Sequence, residues 1–130
     1  MKQDKDPFAR FIKRQDHINY PALKVWPQAF ILKIRNGKME RGISVVSLKD
    51  FPGNYWDIAT KYVGSKKVPV LGYAELMAHH INSCEIPLQL EEAPSKNIPN
   101  HYEIRPLLEK IDALKVATQL AEKAKFIPAP

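Results

Sequence analysis

The chain has 130 residues, 45% apolar and 26% charged, a balance that suits one globular domain with a single sizeable core and is too short for two. Twenty Lys and Arg against fourteen Asp and Glu leave a net charge of +6, which favours an acidic partner, a larger protein or a nucleic acid, although no polybasic tail is present. The charged start MKQDKDPF lacks the apolar stretch of a secretory signal, no apolar run is long enough to span a bilayer, and one cysteine, Cys84, leaves no internal disulfide, so the cytoplasm is the expected compartment.

Asp6-Pro7 reads as a helix cap followed by proline at the first helical position. Phe8, Phe11 and Ile12 recur behind it at helical spacing, which predicts a short helix to about Arg14. Asn19 and Pro21 then signal a turn. Arg14, Gln15 and His17 gather where that helix would end, either as a solvated terminus or as the lining of a site. Next, Phe30, Leu32 and Ile34 alternate with Ile31, Lys33 and Arg35, and Asn36-Gly37 supplies a turn that wants positive φ. With Ile43, Val45 and Val46 resuming the pattern, a central hairpin pairing 30–35 with 43–47 is predicted. The cations of this region, Lys33, Arg35, Lys38 and Arg41, join Arg14 and Gln15 as candidate partner-binding residues.

Pro52-Gly53 and Asn54 open a predicted helix over 55–63. The short apolar run 68–71 reads as a strand, edge-like because of Pro69, and Gly72 leads into a second predicted helix over 73–80. The stretch from Ala78 to Ile104 holds three of the four histidines and the cysteine. Ile86, Leu88 and Leu90 alternate with Gln89 and Glu91, as a half-buried strand would. After a loop bearing Pro94 and Pro99, Tyr102 and Ile104 are expected to face the core, which places His101 and Glu103 together on the opposite face. Arg105-Pro106 begins the longest predicted helix, with Leu108, Ile111, Leu114, Ala117, Leu120, Ala121 and Ala124 as its apolar stripe. Residues 126–130 are left as a frayed, proline-containing tail. The sum is an α+β fold, a single domain over 1–130 with a small, mostly antiparallel sheet, a central hairpin and three to four helices.

Histidines and their acidic neighbours are the raw material for chemistry. Glu75 and His79, four apart on the predicted helix, would share a face. If the first element folded back, His17, His79 or His80, and His101 would converge as ligands for zinc or another transition metal. The spacing matches no metal signature, and no cofactor is the default expectation. His101 with Glu103 or His17 is the metal-free acid–base alternative. Ser44 and Ser47 lie in a predicted strand without a nucleophile elbow, and Cys84 reads as a small buried thiol rather than a nucleophile.

Four short motifs, RQDH at Arg14 to His17, WPQAF at Trp26 to Phe30, GISV at Gly42 to Val45 and IPNHYEI at Ile98 to Ile104, resemble in kind and order those of a small family of bacterial proteins. That family's Asn-Pro-Ala-His-Ala run is replaced here around Pro99 to Tyr102. No activity comes with the resemblance; it implies that His17, Phe30, Ser44 and His101 belong to one arrangement. The leading expectation is a basic, non-enzymatic binding or accessory subunit that docks a larger protein or a nucleic acid. The alternative is a histidine-centred, metal-assisted hydrolase or nuclease.

Overall fold

A computed structural model describes residues 5–31, 34–35, 38–39, 42–49, 55–60, 68–94, 98–105, 108 and 110–130. The strands are β1 (Pro7–Ile12), β2 (Ile18–Asn19), β3 (Lys24–Val25), β4 (Ile34–Arg35), β5 (Lys38–Met39), β6 (Ile43–Ser47), β7 (Gly72–Met77), β8 (Gln89–Glu92), β9 (His101–Arg105) and β10 (Lys125–Pro128). The helices are α1 (Tyr55–Ile58), α2 (Ala78–Asn82) and α3 (Lys110–Lys123). Six strands form one sheet in the order β10-β7-β1-β6-β9-β8, every pair antiparallel. The α+β class and the antiparallel sheet stand as expected. The helical part is smaller: among the described residues only α3, of fourteen residues, is a long helix, while α1 and α2 have four and five.

Register and alternation assign the side chains to two faces. Phe8, Ile12, Ala74, Leu76, Val45, Ile104, Leu90 and Phe126 share one face, and all belong to the main core. Ala29 and Phe30 join that core from a 3-10 turn at Pro27–Phe30, as do Val116, Ala117, Leu120, Ala121 and Ala124 from α3. Ala9, Val46 and Tyr73 are buried on the other face, where the Trp56 ring of α1 meets Phe11 and Tyr73 at 6.4 and 5.5 Å. Burial on both faces explains two corrections. The segments 7–14 and 73–80, predicted helical, are largely the central strands β1 and β7. A strand apolar on both sides loses its period-2 signature, and Phe8, Phe11 and Ile12 then imitate a helical stripe.

The predicted hairpin is also re-paired. Arg35 faces Lys38 across β4–β5, bracketing Asn36 and Gly37, which lie outside the described residues. Ile43–Ser47 pairs instead with β1 and β9, and Phe30 sits in the 3-10 turn. A two-residue connection closes only the nearest residues; the longer strand finds more apolar area between two others. The run 68–71 precedes β7 without strand structure, and the helix predicted over 55–63 is described only to residue 60.

The tail expected to fray is the edge strand β10, antiparallel to β7, with Phe126 buried. Its outward Phe126 N–H donates to Leu23 O at 3.0 Å and Ala129 N–H to Leu71 O at 2.9 Å, so neighbouring loops satisfy the edge. In α3 the stripe is rotated: Ile111 is 80% and Leu114 52% exposed. At 100° per residue, Ile111 lies about 120° around the helix from the inward Ala117. Among the described residues no helix is long and apolar enough to cross a membrane.

Candidate functional site

The strand expected from Ile86 through Leu90 is only β8, Gln89–Glu92, with Ile86 and Leu88 in the irregular run before it. The strand expected at Tyr102 is β9, paired antiparallel with β8 so that Glu92 lies opposite Tyr102 and Glu91 opposite Glu103. As expected, Ile104 is buried and Tyr102 packs partly on the core, its ring edge-on to Phe8 at 5.2 Å. His101 and Glu103 therefore share the opposite face of β9, yet they do not work as a pair. Glu103 accepts from Arg105 Nη2 at 2.6 Å, and Arg105 Nη1 also reaches Glu91 at 2.8 Å. The ring of His101 turns instead to the loop, with Nδ1 2.8 Å from Ala93 O.

That contact sets the tautomer. A carbonyl oxygen only accepts, so Nδ1 carries the proton and Nε2 of the neutral ring is an acceptor. Backbone bonds from Ala93 N–H to His101 O (2.9 Å) and from His101 N–H to Ile98 O (3.2 Å) draw both ends of the loop to the same residue. Nε2 meets no protein partner among the described residues.

His101 lines a cleft of about 310 Å³ with Ser47, Lys49, Glu92, Asn100 and Tyr102, walled by Pro94 and Pro99. Tyr102 donates its hydroxyl to Glu92 Oε1 at 3.3 Å. Burial first, then the Glu92 carboxylate, with Asp6 behind it, pushes that hydroxyl above the ordinary phenol range. Lys49 lies 3.6 Å from the nearly buried Asp6 carboxylate. Asp6, expected to cap a helix, leads instead into β1 and accepts the Ala78 N–H at 2.9 Å through its backbone. Lys49, Glu92 and Tyr102 are cleft residues that sequence reasoning passed over. The register that sets Glu92 opposite Tyr102 is a property of strand pairing and leaves no local mark.

The remaining histidines stand elsewhere. His79 and His80 are neighbours on α2, ring centroids 4.1 Å apart. His80 Nδ1 accepts the Met77 N–H at 3.2 Å and so caps the helix start. Burial, then His79, Lys123 and Lys24, lower its pKa below the ordinary imidazole value. Glu75 lies on β7, so it shares no helical face with His79. His17 ends a 3-10 turn, Gln15–His17, whose carbonyl accepts the Trp26 N–H at 2.8 Å. Among the described residues, which include all four histidines, no three of His, Cys, Asp and Glu gather as a metal ion requires. Strand β7, where a helix was expected, removes the geometry on which convergence depended. Cys84 is half-buried, its thiol 3.6 Å from His80 O and pushed up in pKa by burial, as an inert thiol would be.

Of the candidate binding residues, Lys33 and Arg41 lie outside the described residues, and of Arg35 and Lys38 only the backbone pairing is described. Gln15 is exposed in the 3-10 turn. Arg14 forks onto Asp16 at 2.9 and 3.0 Å, so much of its charge is already answered. A different surface stands out beside it. On the β2–β3 hairpin and its flank, Tyr20 (51%), Leu23 (51%) and Trp26 (47%) are all about half exposed. No protein-family model, curated protein or solved structure matches the chain.

Proposed function

We propose that the chain is a non-enzymatic docking domain, an accessory subunit that seats a larger protein on its β2–β3 hairpin. Leu23 carries this reading. Its φ is +52°, in the left-handed region that costs a non-glycine residue roughly 1–2 kcal/mol. Its backbone is fully employed, donating to Tyr20 O at 3.2 Å and accepting from Phe126 at 3.0 Å. Glycine or asparagine would serve that turn with less strain. A leucine that is both strained and half exposed gives little to folding, and strain retained in this way is characteristic of functional surfaces. Tyr20 and Trp26 beside it are of the types that dominate interface energetics. The net charge of +6 favours a partner whose apolar socket has an acidic rim. The hydrolase alternative finds less support, because Glu103 is drawn to Arg105, and His17, the His79–His80 pair and His101 stand on three separate elements.

A photo-crosslinking residue at position 23, with position 118 on the exposed side of α3 as control, identifies the partner in cells. Affinity is then measured on the purified pair. Leu23→Asn and Trp26→Ala are expected to weaken docking about tenfold or more, while Leu23→Asn melts within about 1 kcal/mol of the parent. Equal affinity of both variants and the parent refutes the reading. Binding of duplex or single strands that falls steeply between two ionic strengths replaces the protein partner with a nucleic acid.

A further inference from the structure

We infer that His80 is a pH-sensitive latch: a proton on its Nδ1 uncaps α2 and loosens the β2–β3 hairpin from the end of α3. The first half of the device is a hydrogen bond. The Met77 N–H can only donate, and His80 Nδ1 takes it at 3.2 Å, so the neutral ring carries its proton on Nε2. His80 is the third residue of α2, the place from which Gln or Glu usually reaches back to that same N–H. Glutamine would hold the bond at any pH. A histidine holds it only while neutral, because the next proton goes to Nδ1 and sets donor against donor.

Charge carries the effect to the hairpin. Helix α2 packs on β7, β8 and α3. On β7, Glu75 lies on the sheet face opposite Ala74 and Leu76, which belong to the core. On β8, Glu91 is paired with Arg105, and Glu92 accepts the Tyr102 hydroxyl. Glu85, just beyond α2, lies 3.7 Å from Lys115 of α3. Among the described residues the charged groups that act on the His80 ring are His79, Lys123 and Lys24, all basic. Burial first, then these groups, hold the ring neutral at neutral pH, so the latch is shut there and opens in mild acid. Lys24 is also the tie between β3 and the Glu122 and Ala124 carbonyls. Coupling is reciprocal: Lys24 disfavours a charged ring, so a charged ring disfavours Lys24 in its place. Beside that tie, the Leu23 carbonyl accepts the Phe126 N–H, the bond a loosened hairpin gives up. The strained turn at Leu23 is then released. Its consequence, a partner held at neutral pH and let go in mild acid, rests on the docking reading above; the latch itself does not.

The test therefore uses the whole chain with no partner. Imidazole nitrogen shifts follow the His80 tautomer and its titration. Native-state amide exchange, corrected for the intrinsic pH dependence of exchange, follows Met77 and Phe126, with the amides of the central strand β1 as reference. The expected result is an Nδ1 without a proton at neutral pH. At the His80 midpoint, protection of Met77 falls about fivefold or more, as loss of one net hydrogen bond implies. Phe126 falls at the same midpoint while β1 holds. His80→Gln keeps both amides protected across the range, since its acceptor does not titrate. The inference is overturned by a proton on Nδ1 at neutral pH, by a Met77 or Phe126 amide that keeps its protection through the titration, or by the same step in His80→Gln.

Discussion

Gly72→Ala tests whether the final residues are the strand that the fold requires. A Cβ at position 72 would meet the Ile127 carbonyl oxygen and two atoms of the Phe126 ring at 2.6 Å each. The ring is 1% exposed and hemmed in by the core, and the carbonyl is backbone, so neither can swing aside cheaply. Overpacking of this kind costs about 1–3 kcal/mol, and the backbone clash puts the expectation at about 2–3. The cost has a ceiling. If strain exceeded the worth of docking β10, the strand would detach, forfeiting Phe126 burial of about 3–5 kcal/mol. Urea denaturation separates the outcomes: strain lowers the midpoint at constant slope, whereas detachment also lowers the slope, since less surface remains to be exposed. In a thermal scan each kcal/mol should appear as roughly 3–6 °C. A Gly72→Ala protein within about 0.5 kcal/mol of the parent, with unchanged slope, would refute the close packing of β10 on β7.

Lys24 Nζ donates to the carbonyls of Glu122 and Ala124 at 2.7 and 3.1 Å, capping the C-terminal end of α3 where its dipole is negative. Lys24→Ala should cost about 1 kcal/mol in denaturant melts, with faster amide exchange in the last turn of the helix. His80 has a lowered pKa in the folded state, so the unfolded chain takes up its proton first as pH falls. Its contribution is complete above the ordinary imidazole pKa and declines on acidification until the folded ring also titrates. Stability measured from neutral to mildly acidic pH should show that step, and His80→Gln should remove it.

How much of this was legible depends on what each residue faces. The alternation around Leu90 and Ile104 was readable because β8 and β9 set buried positions against more open ones, and Ile43–Ser47 was readable as a strand from its β-branched run. β1 and β7 were not, since a central strand covered on both faces shows no period-2 contrast, and Phe8, Phe11 and Ile12 fit a helix equally well. Phe126 to Pro128 looked like a tail because proline marks chain ends as readily as sheet edges; the neighbouring β7, with a glycine opposite, decided between them. The α3 helix was visible, but which of its apolar residues turn inward was set by the 3-10 turn at Pro27–Phe30 and the sheet beneath.

The site follows the same division. That His101 and Glu103 share a face is a matter of alternation, which sequence alone determines. Their partners are chosen by pairing across space: Arg105 takes Glu103, Ala93 takes the His101 ring, and Glu92 arrives opposite Tyr102. Periodicity is a property of one segment and survives in the sequence. Register joins segments far apart in the chain, and only the tertiary structure brings those together.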